Sequence, residues 1–393
     1  MLRPAEKMKR LGTETAFDVL ARADTLVSQG RDIINLGIGQ PDFKTSSHIV
    51  EAGIRALRDG HHGYTPSPGI ARLREAVVSD IATYRGVKVD PERVVIVPGG
   101  KVTMFFAILM FGEPGAEILY PNPGFPIYQS VIEFSGATAI PIQLLEENEF
   151  SFDADAILEQ ITPNTRLLIL NSPANPTGGA ASRVEIERLV CGLMDYPNVA
   201  VLSDEIYSRI CYDGSEHISL LGYPELENRL ILLDGWSKTY AMTGWRIGYA
   251  VWPQTLVEGA IRLAVNCHSC VNAAAQYAAI AALEGSQDMV DEMVAAFDER
   301  RMFIVTGLNK IPGVHCTMPN GAFYVFPNIT GTGLDSRTIQ DRLLEEVGVA
   351  TVAGTSFGAL GEGYLRLSYA NSVENIQIAV ERVTGLLNGG QME

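Results

Sequence analysis

Residues Arg166–Leu202 read RLLILNSPANPTGGAASRVEIERLVCGLMDYPNVAVL. Two short apolar runs, Arg166–Leu170 and Val199–Leu202, flank a loop rich in proline and glycine and a helical stretch, Val184–Met194. An uninterrupted apolar run suits a strand buried on both faces, whereas a half-buried strand alternates with polar residues. Strands alternating with helices predict a parallel sheet. The pattern continues outward from this segment. Upstream, the run Val94–Val97 leads through Pro98-Gly99-Gly100-Lys101 into a helical stretch, Val102–Phe111, and then a strand, Ala116–Tyr120. Downstream lie strands at Leu230–Leu233 and Ile247–Val251. The fold class is therefore α/β, built on a large, mostly parallel sheet covered on both faces.

The two ends of the chain read differently. Thr13–Gly30 and Ser47–Gly60 are helical, and a long amphipathic helix runs from Gln287 to about Leu308. Strands at Ala322–Phe326 and Tyr364–Ser368 and helices at Thr338–Val347 and Val373–Leu387 complete a smaller α+β unit. The expected division is a large domain over 48–290 and a small domain made of 1–47 plus 291–393. Glycine (38) and proline (20) are spread as punctuation and form no linker.

Composition narrows the function. With 393 residues, 47% hydrophobic and 19% charged, the chain is long enough for a large core and is not a disordered or coiled-coil sequence. Its formal charge is −16, from 30 Lys plus Arg against 46 Asp plus Glu. Such a surface repels nucleic acid and anionic lipid, so neither is expected as a partner. Five cysteines, an odd number in a long chain, suit reduced thiols in the cytoplasm. The first twenty residues lack the apolar core of a secretory signal, and no apolar run reaches the about 18 residues of a membrane span.

Four loops follow predicted strands and should leave the sheet at one edge, where open α/β folds bind ligands. Ser237-Lys238-Thr239-Tyr240-Ala241-Met242-Thr243-Gly244-Trp245-Arg246-Ile247-Gly248-Tyr249 places a lysine among aromatics and hydroxyls. Burial there would lower its pKa and favour the neutral amine that forms a Schiff base; alternatively the lysine simply snorkels from its loop. Ser203-Asp204-Glu205-Ile206-Tyr207-Ser208 puts an acid at the end of a buried strand, where it needs a partner or else caps a helix starting at Glu205. Asn171-Ser172-Pro173-Ala174-Asn175-Pro176-Thr177-Gly178-Gly179 is a rigid turn that either aims the Asn175 amide or merely connects. Pro98-Gly99-Gly100-Lys101 opens a helix and offers free N–H groups to a phosphate. Together these groups suit pyridoxal phosphate.

The segment SKTYAMTGWRIGY, preceded in order by NPTGG and SDEIY, resembles the class I/II, fold-type-I, pyridoxal-phosphate-dependent aminotransferases over essentially the whole chain. The resemblance implies pyridoxal 5′-phosphate as cofactor, with catalytic roles for Lys238, Asp204 and Tyr207. Lys238 would hold the cofactor as a Schiff base and shuttle the proton. Asp204 would pair with the ring nitrogen, while Tyr207 and Asn175 would bond the ring oxygen. Ser237, Arg246 and the backbone of Gly100 and Lys101 would hold the phosphate. Phe125, in PNPGFPIY, stands where the family stacks an aromatic on the ring, commonly Trp or Tyr. Arg366, in GYLRLS, would grip the substrate α-carboxylate, with Ile38, Gly39 and Asn175 completing the substrate pocket. Tyr64, in HGYTPSPG, would reach the phosphate of a neighbouring subunit, which implies a homodimer.

The expected reaction moves an amino group from an L-amino acid to a 2-oxo acid. Aspartate with 2-oxoglutarate is the first choice, because the aspartate-specific subgroup carries a lysine at the place of Lys101 facing the distal carboxylate. A solvent-facing Lys101 is the alternative. No second arginine for that carboxylate appears in Asn266–Asn272, which leaves alanine, aromatic or methionine-type donors open. The same cofactor also supports decarboxylation or β-elimination, as in a C–S β-lyase. A cofactor-binding regulatory domain fits poorly, because no basic DNA-binding extension precedes Asp18. Cys267-His268-Ser269-Cys270 lacks a second ligand pair and the six histidines lack metal spacing, so no metal is expected; the C-x-x-C is placed near the substrate entrance by the resemblance.

Overall fold

The structure is a computed structural model and describes residues 2–389. Its strands, in chain order, are β1 (Ile34–Asn35), β2 (Val94–Val97), β3 (Glu117–Asn122), β4 (Thr138–Gln143), β5 (Thr165–Asn171), β6 (Ala200–Asp204), β7 (Leu230–Gly235), β8 (Gly248–Val251), β9 (Tyr324–Val325), β10 (Val349–Ala350), β11 (Val352–Ala353) and β12 (Leu365–Ser368). Seven of them form one sheet in the order β2-β8-β7-β6-β5-β3-β4. Only the pairings of β8, with β2 and with β7, are antiparallel. The expected mostly parallel α/β class is what the chain adopts.

The apolar runs are continuous because both faces of the sheet are covered. Along β5, Leu167 and Ile169 enter one core with Leu202 of β6, whereas Leu168 and Leu170 enter the opposite core with Val201. Each such leucine removed from water contributes about 1.5–3 kcal/mol, so a polar residue on either face would be felt. The helix Arg183–Leu193 starts at Ser182, whose hydroxyl accepts the N–H of Glu185, and buries Ile186, Leu189, Val190 and Leu193. Strand β4 escapes a sequence reading. It lies at the sheet edge, is half exposed and carries Pro141 in its middle, as only an edge strand tolerates.

The register sets the site. Asn171 at the end of β5 faces Asp204 at the end of β6, and Asp204 faces Leu233 of β7. The functional loops therefore leave from one edge. Elsewhere β11-β12-β9 form an antiparallel sheet, and β1 pairs in parallel with β10, tying residues 34–35 to 349–350. The predicted strand Ala322–Phe326 shortens to Tyr324–Val325, since Ala322 has φ +58° and cannot continue an extended backbone. No helix among the described residues is long and apolar enough to cross a membrane.

Candidate functional site

A cavity of about 500 Å³ lies at the C-terminal ends of β5, β6 and β7. Ile38, Gly39, Gly100, Lys101, Phe125, Asn175, Asp204, Tyr207, Ser237, Lys238, Arg246 and Arg366 line it. The structure thus brings together, in one chamber, residues spread over more than three hundred positions.

Asp204 forms the buried base of the site and is 4% exposed. No helix starts at Glu205, so Asp204 is not a cap. Asp204 instead accepts the Tyr128 hydroxyl at 2.6 Å and the Ile206 N–H at 3.3 Å. Burial raises its pKa to about 6, with the negative charges of Asp234 and Glu205 adding to the shift and the Tyr128 bond opposing it. Behind it sits a buried charge cluster. Arg85, itself buried, donates to Glu205 Oε2 at 3.1 Å and to Asp234 Oδ2 at 2.5 Å, and His217 Nε2 lies 2.9 Å from Glu205 Oε2. Burial opposes ionisation of Glu205, but His217 and Arg85 outweigh it and bring the pKa down to about 2.

Lys238 follows β7 in a four-residue helix, Trp236–Thr239, and donates to the Gly39 carbonyl at 2.5 Å. Burial, with the nearby Arg366 charge adding to it, lowers its pKa to about 8. About a tenth of the lysine is then neutral near pH 7. Its close contact with the Gly39 backbone depends on glycine, because a Cβ at Gly39 would overlap the Tyr324 hydroxyl. That hydroxyl lies 2.8 Å from the Tyr207 hydroxyl, and burial pushes the pKa of Tyr207 well up, so the phenol stays protonated.

Arg366 on β12 is 3% exposed. Its guanidinium donates to Asn175 Oδ1 at 3.1 Å and to the Gly37 carbonyl, lies 4.7 Å from the ring centres of Tyr324 and Phe357, and leaves its buried Nε without a partner. Those partners are neutral. A buried cation held only by neutral groups is costly until an anion arrives. A second anion cradle lies at Gly99–Lys101. Gly99 has φ +88°, and a Cβ there would strike the Arg246 guanidinium. Gly100 offers no side-chain cap to the helix Lys101–Phe111; the Val102 and Thr103 N–H groups donate to the Gly99 and Gly100 carbonyls, and Gly100 and Lys101 line the cavity with Arg246. Arg246 gives one nitrogen to the Thr243 carbonyl at 2.8 Å.

Lys101 lines the cavity and stays half-exposed. Its Nζ lies 2.6 Å from Glu14 Oε2 and 5.3 Å from the Phe125 ring centre. Tyr64 is not part of this cavity and is 94% exposed. The Cys267–Cys270 turn, expected near the entrance, does not line the chamber either. Both cysteines are free and unbridged, and the turn packs on the Tyr64 loop, where the Ser67 hydroxyl donates to the Ser269 carbonyl at 2.6 Å. The helix Val257–His268 leads into this turn, which also accepts the Thr65 hydroxyl at the Val271 carbonyl. Among the described residues no cluster of His, Cys, Asp and Glu could hold a metal ion.

Sequence reasoning missed Tyr128, Tyr324, Phe357 and Glu14. Tyr128 was legible in part, as the tyrosine of PNPGFPIY. Glu14 carries no local signal, because it comes from the other end of the chain.

Residues 31–383 match the model of the family described as "Aminotransferase class I and II". The chain is 39% identical over 365 residues to an aspartate aminotransferase of Pyrococcus horikoshii, covering 92% of each chain. It is 36% identical over 358 residues to aromatic-amino-acid aminotransferase 2 of Thermococcus litoralis, covering 90% of this chain and 92% of that one. The solved structure of an aspartate aminotransferase from Rhizobium meliloti superposes with a TM-score of 0.94 at 32% identity, covering 99% of both chains.

Proposed function

Because the chain belongs to the class I and II aminotransferase family, we propose that the cavity around Lys238 is its active site, with aspartate as amino donor and 2-oxoglutarate as acceptor. The enzyme moves an amino group from an amino acid to a 2-oxo acid. The observation that carries the reading is Arg366, a buried guanidinium among neutral partners with an unpartnered Nε. It fits the α-carboxylate that every amino donor and 2-oxo acceptor shares, and its planar fork suits a carboxylate bidentately.

The residues present also fit pyridoxal 5′-phosphate. Arg246, Ser237 and the helix start at Gly100–Lys101 would hold its phosphate. Asp204 would hold the ring nitrogen, Tyr207 and Asn175 the ring oxygen, and Phe125 would cover the ring face. When bound, the cofactor supplies an electron sink for the substrate Cα and a carrier for the amino group. The chain supplies the rest. Lys238, poised near a pKa of about 8, is neutral often enough to attack a carbonyl carbon and to take a proton from Cα. Asp204, with a pKa of about 6, presents an anionic oxygen to a positively charged ring nitrogen. Asn175 and the Gly37 carbonyl hold the Arg366 fork so that it need not reorganise as substrate binds.

Tyr64 completes the site of a second copy, so the functional unit is a homodimer, in the cytoplasm. Its near-complete exposure on the loop that packs against Cys267–Cys270 supports this. The division into a large domain over 48–290 and a small one of 1–47 plus 291–393 belongs to the same reading, supported by the β1–β10 pairing.

Lys238→Ala tests the proposal. The variant loses transamination and the visible absorbance of lysine-bound cofactor; retention of both overturns it. In the wild type, aspartate is consumed beyond one equivalent per site only when a 2-oxo acid is present. Release of ammonia without an acceptor would instead identify a lyase.

A further inference from the structure

The cavity carries one anionic group that a site for anionic substrates does not need. Glu14 stands just before the helix Thr15–Ser28, caps nothing with its side chain, and lines the chamber with Thr15, Ala16 and Phe17. Its carboxylate is largely buried, 16% exposed, and meets the half-exposed Lys101 at 2.6 Å. Its negative charge reaches deeper still, favouring the protonated forms of Lys238, Arg366 and Tyr324. The segment that carries it is pinned on both sides. Before it, the Gly12 N–H donates to Ser130 Oγ at 2.8 Å; after it, Val19 and Ala23 pack with Leu344 and Ala350. The backbone at Glu14 is thus held, and any exchange on Lys101 falls to the side chain.

We propose that Glu14 is a specificity-determining residue that occupies Lys101 in place of a substrate's distal carboxylate and gives way to it by ion-pair exchange. This rests on the reading that Lys101 faces that carboxylate. With the pair closed, the distal subsite is neutral and walled by Phe17, Ile38 and Phe125. A monocarboxylic substrate with an apolar side chain enters without stranding the lysine charge. A dicarboxylate such as aspartate or 2-oxoglutarate displaces Glu14 and takes its place on Lys101. The exchange weakens dicarboxylates by the strength of the pair they break. It lets one subsite admit monocarboxylates beside the dicarboxylates of the proposed reaction.

The test is calorimetric binding to the holoenzyme of succinate, a dicarboxylate, and 3-phenylpropionate, a monocarboxylate. Neither can be transaminated. Glu14→Gln is expected to tighten succinate about two- to fivefold, the upper range for a partly screened ion pair, and to leave 3-phenylpropionate essentially unmoved. In a Lys101→Met background the gain in succinate affinity should vanish. Equal tightening of both ligands, or the same gain without Lys101, overturns the exchange and leaves only a general charge effect. Lys101→Met alone separates the two readings. If it leaves succinate binding unchanged, Lys101 does not read the distal carboxylate. If it weakens succinate while Glu14→Gln fails to tighten it, only the exchange is wrong.

Discussion

Tyr128→Phe isolates what holds the acid at the base of the site. The Tyr128 hydroxyl donates to Asp204 at 2.6 Å and opposes the upward push of burial. Burial raises the pKa of Tyr128 itself far above its usual value, so the phenol remains a donor throughout the working pH range. A hydrogen bond to a charged group is worth about 1.5–3 kcal/mol, and 1.36 kcal/mol corresponds to one pKa unit. Its loss should carry Asp204 from about 6 to about 7–8. The sign follows from linkage. An acid whose folded pKa lies above its unfolded value, about 3.9 for aspartate, destabilises the fold increasingly as pH rises through that interval. Near pH 5 Asp204 is mostly protonated in both proteins; near pH 8 it is ionised in the wild type but only partly in the variant. Urea unfolding of the cofactor-free protein should therefore show an excess loss for Tyr128→Phe of about 1–2 kcal/mol at about pH 8 relative to about pH 5. Equal losses at the two pH values would refute the assignment of this titration to Asp204.

Arg366→Lys should raise KM for every amino donor and lower kcat/KM about ten- to a hundredfold, because a point charge replaces a fork that also meets Asn175 and Gly37. Steady-state kinetics over a donor panel checks this; losses confined to dicarboxylic donors would assign Arg366 to the distal carboxylate. Arg85→Met removes the cation shared by Glu205 and Asp234 and should cost about 3–5 kcal/mol in chemical denaturation. A cost below about 1 kcal/mol would mean that water or His217 compensates the stranded carboxylates.

Much of the fold is legible in local sequence, for a physical reason. Strands buried on both faces must be apolar at every position, so β2, β5, β6 and β7 stand out as VVIV, RLLIL, VAVL and LILL. Strand β4 does not, because an edge position tolerates Pro141 and exposed residues. The residues at the strand ends are legible too. Asp204 and Lys238 are titratable groups attached to strands that have no polar face to share.

What the sequence determines by itself is thus the parallel sheet and the chemical inventory at its edge. Partnership is decided only by the tertiary structure. Tyr128, 76 positions away, pairs with Asp204; Arg366 meets Asn175 across 191 positions; and Glu14 finds Lys101 across 87. A hydrogen bond or ion pair depends on distance in space, and no local pattern encodes which remote segment folds against a given loop. The charge state of the site follows the same logic. Lysine and aspartate have ordinary pKa values in the chain, and burial beside particular charges moves them to about 8 and about 6.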